Sequence, residues 1–361
     1  MGKGGIVEPE QLASCTYRSY GYLADGSEVE AWTLRGAGGM EMEILSYGAA
    51  IRRLAVPDGD GQVVDVVLGH ETIDSWERAN ESYFGVIAGR IAGRVPGGQL
   101  AFEGQVYQLA CNDRGNHLHG AEGGLDKCLW EGEPLTGEDG TVGVRMRYRS
   151  LDGEGGYPGT VEISATFQLT PDNTFVFETE AKADQVTPIS LAQHSYFNLA
   201  GAGHGSAEGH VVQIFAEEVM RTDEKMTPLG VAEAVECTAA DLRQPRLLAG
   251  VIPALWQEHG DLYRLSEEVG LKPAARVFDP QSGRVMQVST THDFLQFYTG
   301  AHLDGSLIGK EDRAYPKHGG LCFECQGYPD PSADCGDILV RPEQAQIHRT
   351  IYAFSNEGIR S

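Results

Sequence analysis

Between Val161 and Leu169 the chain alternates strictly: Val161, Ile163, Ala165, Phe167 and Leu169 are apolar and the residues between them are polar. After Pro171-Asp172-Asn173 the pattern resumes through Phe175, Phe177 and Thr179. A period of two places alternate side chains on one face of a strand, and Pro-Asp-Asn supplies the turn, so this stretch reads as a β-hairpin with one buried face. Residues 99–102, the turn Glu103-Gly104 and residues 105–110 read as a second hairpin, and 142–148 and 345–354 as further strands. Helical patterns occur at 72–79 and around 252–258, and neither recurs between strands as a βαβ fold requires. The 47 glycines suit a chain with many turns. No linker or fixed-period repeat divides the sequence. The expectation is an all-β chain forming one domain over 1–361, a large antiparallel β-sandwich with few short helices. The first twenty or so residues are expected to be a disordered tail.

Charge narrows the partners. With 52 acidic against 28 basic residues the formal net charge is −24, a field that repels phosphate backbones and anionic lipid surfaces. Nucleic acid and membrane are not expected as partners, whereas a neutral small molecule is indifferent to that field. No apolar run approaches the length that spans a bilayer, and residues 1–10 carry no leader-like apolar stretch. Seven cysteines, odd in number and scattered, are unlike a secreted disulfide framework. A cytoplasmic monomer or homodimer is expected.

Three polar clusters interrupt strand-like segments. In Asn116-His117-Leu118-His119-Gly120 the two histidines share a face if the segment is extended; such a pair can bind metal, but no third and fourth ligand follow at fixed spacing, so a polar pocket wall is the better reading. In 191–199 alternation puts His194, Tyr196 and Asn198 on one side and Ser195, Phe197 and Leu199 on the other, which suggests a wet, ligand-facing surface. In Leu321-Cys322-Phe323-Glu324-Cys325-Gln326 the first, third and fifth residues face inward and Cys322, Glu324 and Gln326 face away. A carboxylate flanked by hydrophobes is costly unless paired, so Glu324 is either a structural ion-pair partner or a tuned base. On a strand Cys322 and Cys325 point opposite ways, which makes them free thiols rather than half a zinc site. Gln296 is a further polar residue in an aromatic strand, and Asp261 falls in a turn or loop.

Taken in order from about Glu30 to the C-terminus, these segments resemble the galactose mutarotase (aldose 1-epimerase) family. The resemblance rests on Gly89-Arg90-Ile91-Ala92-Gly93-Arg94; on Asn116 to Gly120 with Gly124-Leu125-Asp126-Lys127; on Gly155-Gly156-Tyr157-Pro158-Gly159 with His194 to Leu199; on Gln296 to Gly300; and on Tyr315-Pro316-Lys317-His318 leading to Glu324. It implies a supersandwich fold with a sugar in an open cleft and no cofactor or metal. It also implies His194 as general acid, Glu324 as general base and His119 beside the anomeric oxygen, with Arg94, Asp261 and Gln296 on the sugar hydroxyls. Opening a cyclic hemiacetal requires removing the C1 hydroxyl proton while the ring oxygen gains one, so an ionised Glu324 facing a protonated His194 is expected.

The family usually has Asn where this chain has Gly93, His where it has Leu262, and Asn-Trp where it has Gly327-Tyr328. These changes leave the preferred sugar open. A turnover-deficient sugar-binding protein, an enzyme acting on a modified sugar and an HxH metalloenzyme are the competing readings.

Overall fold

The computed structural model describes residues 13–78, 82–255, 260–333 and 338–357. A nine-stranded antiparallel sheet is its largest element. The hairpin read from the sequence, Val161–Leu169 paired with Thr174–Ala183, forms its third and fourth strands, and Thr174–Ala183 then pairs with the central strand, Gln346–Asn356. The hairpin Gln99–Phe102 with Gln105–Gln108 and the strand Val142–Ser150 also form.

The second sheet carries the cleft. Its strands, in chain order, are β1 (Tyr196–Phe197), β2 (Ala216–Thr222), β3 (Pro228–Ala234), β4 (Asp261–Leu265), β5 (Phe294–Tyr298) and β6 (Leu321–Gln326). Side by side they run β1, β6, β5, β4, β2, β3. Leu321, Phe323 and Cys325 of β6 enter the main apolar core beside Phe167, Phe175 and Tyr352 of the large sheet, and the Phe197 and Tyr352 rings lie 5.4 Å apart across the two layers. A five-stranded sheet, beginning with Ser14–Tyr22 and Glu28–Arg35, adds Leu34, Ile44 and Leu54 to the same core.

That first strand corrects the expected tail: Ser14 to Tyr22 pair with Arg35 to Glu28, and only residues 1–12 of the proposed tail lie outside the described residues. The helix expected at 72–79 is Ile73–Arg78, with Ala79 outside the described residues. The pattern at 252–258 yields a 3-10 turn, Ile252–Ala254, and 256–258 lie outside them. No helix among the described residues is long and apolar enough to cross a membrane.

Candidate active site

Strand register assembles the centre. On β6, Glu324 lies opposite Gln296 of β5, which lies opposite Leu262 of β4, so the three side chains share one face of the sheet. His194 arrives from a segment that changes partner around it: Ala192–Gln193 pairs with Ile87–Ala88, then β1 pairs with β6. The continuous strand expected over 191–199 is therefore broken at His194 and Ser195. The break brings His194 Nε2 to 3.4 Å from Glu324 Oε2, with both side chains almost fully enclosed. His119 joins them, its ring 5.3 Å from that of His194 and edge-on to it. His119 has φ +53, a left-handed conformation that ends the strand at Leu118 and turns its ring away from that of His117.

The proton balance differs from the expected ion pair. Burial raises the Glu324 carboxyl to about 8, opposed by the positive field of Arg94. Burial lowers His194 to about 4, with His302 adding to the effect and the residue's own carbonyl opposing it. Between those limits the pair holds one proton, and burial puts it on Glu324, because two neutral groups cost less to enclose than two ions. The proton count is that of the expected pair; the location is reversed.

His119 is neutral as well, held well below its usual value by burial and by the neighbouring His194. The Gly93 N–H donates to His119 Nδ1 at 3.1 Å, which leaves the ring proton on Nε2. The donor atoms of His119, His194 and Glu324 lie within 4.8 Å of one another, a spacing that also suits a cation. A protonated Nε2 offers a hydrogen bond and no lone pair, so this tautomer suits an oxyanion better than a metal ion.

Beside the centre lies a cavity of about 290 Å³ lined by Arg94, Met220, Asp261, Leu262, Gln296 and Gln326, among others. All three expected hydroxyl ligands are therefore there. Arg94 is steered by Asp113, whose Oδ2 accepts from its Nε at 2.6 Å. Asp261 opens β4 rather than lying in a loop. The departures have local reasons. Gly93, at φ +84, leaves room for the Gln326 amide, since a Cβ would stand 2.9 Å from its Nε2. A Cβ on Gly327 would meet Ile338 at 2.3 Å. Leu262 packs with Met220, Phe294 and Tyr328 into an apolar patch, so this part of the cleft floor offers no hydrogen bond.

Several expected wall residues are not walls. His117 is fully engaged, Nδ1 with the Ala110 carbonyl and Nε2 with the Tyr157 hydroxyl, both at 2.7 Å. The Asn198 amide donates to the carbonyls of Gly205 and Gly319, which fastens two loops rather than facing a ligand. Tyr196 is buried and stacks on His194. Conversely, Tyr83, Asp113 and Gln326 were not singled out as site residues. Gln326 had a signal, since it sits two residues from Glu324 on the same strand face. Tyr83, whose ring lies 4.9 Å from His119 and 5.8 Å from His194, had none.

The family model described as aldose 1-epimerase matches residues 30–353. This chain belongs to the aldose 1-epimerase family. It is an isomerase of that family, and it is 38% identical to galactose mutarotase of Rattus norvegicus over 95% of this chain and 99% of that one. Aldose 1-epimerase of Escherichia coli K12 is 28% identical, covering 92% and 97%. Among solved structures, galactose 1-epimerase from Lactobacillus acidophilus NCFM superposes with a TM-score of 0.83 at 25% identity, covering 95% of this chain and 99% of that one. An aldose epimerase homologue from C. elegans gives 0.81 at 25% identity, covering 88% and 96%. These aldose 1-epimerase relatives share the antiparallel sheets described above.

Proposed function

We propose that the chain is a single-domain cytoplasmic mutarotase that interconverts the α and β anomers of aldohexoses such as galactose and glucose at the His194–Glu324 pair. The observation that carries the reading is a buried histidine and carboxylate 3.4 Å apart next to a cavity lined by Arg94, Asp261 and Gln296. The relatives named galactose mutarotase support galactose as a substrate.

In the first step Glu324 passes its proton to His194 Nε2, and the sugar's hydroxyls replace the solvation that burial removed. The carboxylate then takes the C1 hydroxyl proton while His194 gives its proton to the ring oxygen. The C1–O5 bond breaks, the C1 oxygen becomes an aldehyde, and the pair again holds one proton, now on Glu324. Rotation about C1–C2 presents the other face, and the reverse transfers close the ring as the other anomer. His119 Nε2–H donates to the anomeric oxygen while it carries negative charge. Each positioned acid or base contributes on the order of 10²–10⁴-fold.

Polarimetry of freshly dissolved α-D-galactose and α-D-glucose tests this. Faster mutarotation with the wild-type protein and a loss of about 10³-fold in Glu324→Gln are expected. Rotation at the spontaneous rate across a panel of aldoses, with binding retained, would instead support a sugar-binding protein.

A further inference from the structure

The His194 imidazole is fixed by four neighbours. Tyr83 and Tyr196 lie against its two faces, at 5.8 and 5.3 Å with interplanar angles of 29° and 28°. Those contacts set the plane of the ring but not which way round it lies, because a half-turn about the Cβ–Cγ bond exchanges nitrogen for carbon at nearly the same positions. Within the plane, Nε2 meets Glu324 at 3.4 Å and Nδ1 meets Cys322 Sγ at 3.9 Å. After a half-turn Glu324 would face Cε1, which neither accepts nor delivers a proton, and the thiol would face Cδ2.

We infer that Cys322 is a positioning residue for the reaction proposed above, its sulfur accepting from His194 Nδ1–H and so holding Nε2 toward Glu324 and the sugar. β6 places it there: Cys322 lies opposite Tyr196 of β1 and Tyr298 of β5, and its side chain emerges on the same face as Glu324, two residues on. When Glu324 holds the shared proton, His194 Nε2 is the acceptor and Nδ1 carries the hydrogen. When the proton crosses to Nε2, the Nδ1–H bond to sulfur is unchanged. A carboxylate at this position would also orient the ring, but it would favour the imidazolium and weaken the acid. Sulfur is a weak acceptor, so it orients the ring without trapping the proton on it. The other titratable groups facing the ring are His119, Tyr83, Tyr196 and His302; the residue's own carbonyl also bears on Nδ1, so Cys322 shares that side of the ring with it.

The test compares Cys322→Ser with Cys322→Val. Valine fills the thiol's space without an acceptor, whereas serine keeps an acceptor in a smaller side chain. Cys322→Val is expected to lose about tenfold in kcat for mutarotation with KM within about twofold, and Cys322→Ser to retain several-fold more activity than valine. ¹⁵N NMR of the full-length protein is the readout independent of turnover: in wild type Nδ1 of His194 is protonated, and in Cys322→Val its signal shifts toward a mixture of tautomers. Should Cys322→Val match wild type in kcat and in the His194 nitrogen shifts, or outperform Cys322→Ser, the positioning role is overturned. A wild-type protein that turns over no sugar but shows the tautomer change on substitution would instead remove the function and leave the contact standing.

Discussion

His119 and His194 meet edge to face with ring centroids 5.3 Å apart, and beyond the end of β6, beside Gly327 and Tyr328, His292 and His348 stack face to face at 3.9 Å. Desolvation lowers the proton affinity of all four. What separates the pairs is the company they keep. The carboxylate nearest the stacked pair, Asp293, is already occupied by Lys272 Nζ at 3.0 Å. The space lined by both rings of that pair is about 20 Å³, and the cavity of about 220 Å³ on the outer side of His348 touches neither His292 nor a carboxylate, against about 290 Å³ beside the other pair. The first pair has Glu324, whose pKa moves opposite to that of His194, so that one proton can be exchanged between them. Buried histidine with a depressed pKa is thus common to both places; an oppositely shifted partner next to a ligand-sized cavity belongs to one.

The largest expected effect breaks the comparison directly. His194→Asn should reduce kcat for mutarotation by about 10³-fold, and His348→Asn should leave it within about twofold, both measured by polarimetry at saturating sugar. Comparable losses in the two variants would mean that burial of histidine, and not the acid–base pairing, supports activity. A smaller loss, about 10²-fold, is expected for His119→Phe, which keeps the ring's bulk and removes the Nε2–H donor. Because His119 is assigned to the oxyanion and not to proton transfer, that variant should keep the shape of the wild-type pH profile.

The profile itself comes next. With His194 near 4 and Glu324 near 8, the pair holds one proton between those values. Below about 4 a second proton removes the base, and above about 8 loss of the proton removes the acid. A bell in kcat/KM with limbs near these values is expected, each falling about tenfold per pH unit. These limbs belong to the pair rather than to either residue, so His194→Asn should replace the bell, in whatever activity remains, by the single titration of Glu324, with activity falling as pH drops below about 8. A flat profile across pH 4–9 would show that this proton is not the one that moves.

How much of this was legible in the sequence depends on the range of the interaction. Period-two alternation placed Val161–Leu169 with the right ends and assigned Glu324 and Gln326 to one face of β6, because pleating is a local property of the chain. The same rule failed at Asn198, which lies past the end of β1 and fastens two loops, and across His117 and His119, where the left-handed backbone at His119 ends the strand and leaves His117 bonded to Ala110 and Tyr157. Asp113 against Arg94, Tyr83 against the histidines and Cys322 against His194 are long-range contacts with no local signature. The proposed catalytic trio and hydroxyl ligands come from family motifs, and the structure brings those residues together around one cavity, but the location of the proton required burial, which only the assembled fold supplies.

The smallest effect concerns stability, and the two regions should respond to pH with opposite signs. Glu324 binds its proton more tightly folded, near 8, than unfolded, near 4.5. Its contribution is therefore complete below about 4.5 and is lost as pH rises toward about 8. His348 is shifted the other way, so its contribution is complete above the ordinary histidine value near 6.5 and is lost as pH falls through its lower folded value. Glu324→Gln should accordingly raise Tm relative to wild type by a few degrees at pH 9 more than at pH 5, whereas His348→Gln should show its relative gain at pH 5. Calorimetry of the three proteins at both pH values separates the cases. If Glu324→Gln gave the same Tm difference at both, Glu324 would be ionised throughout, and the buried proton on which the proposed first step depends would not be there.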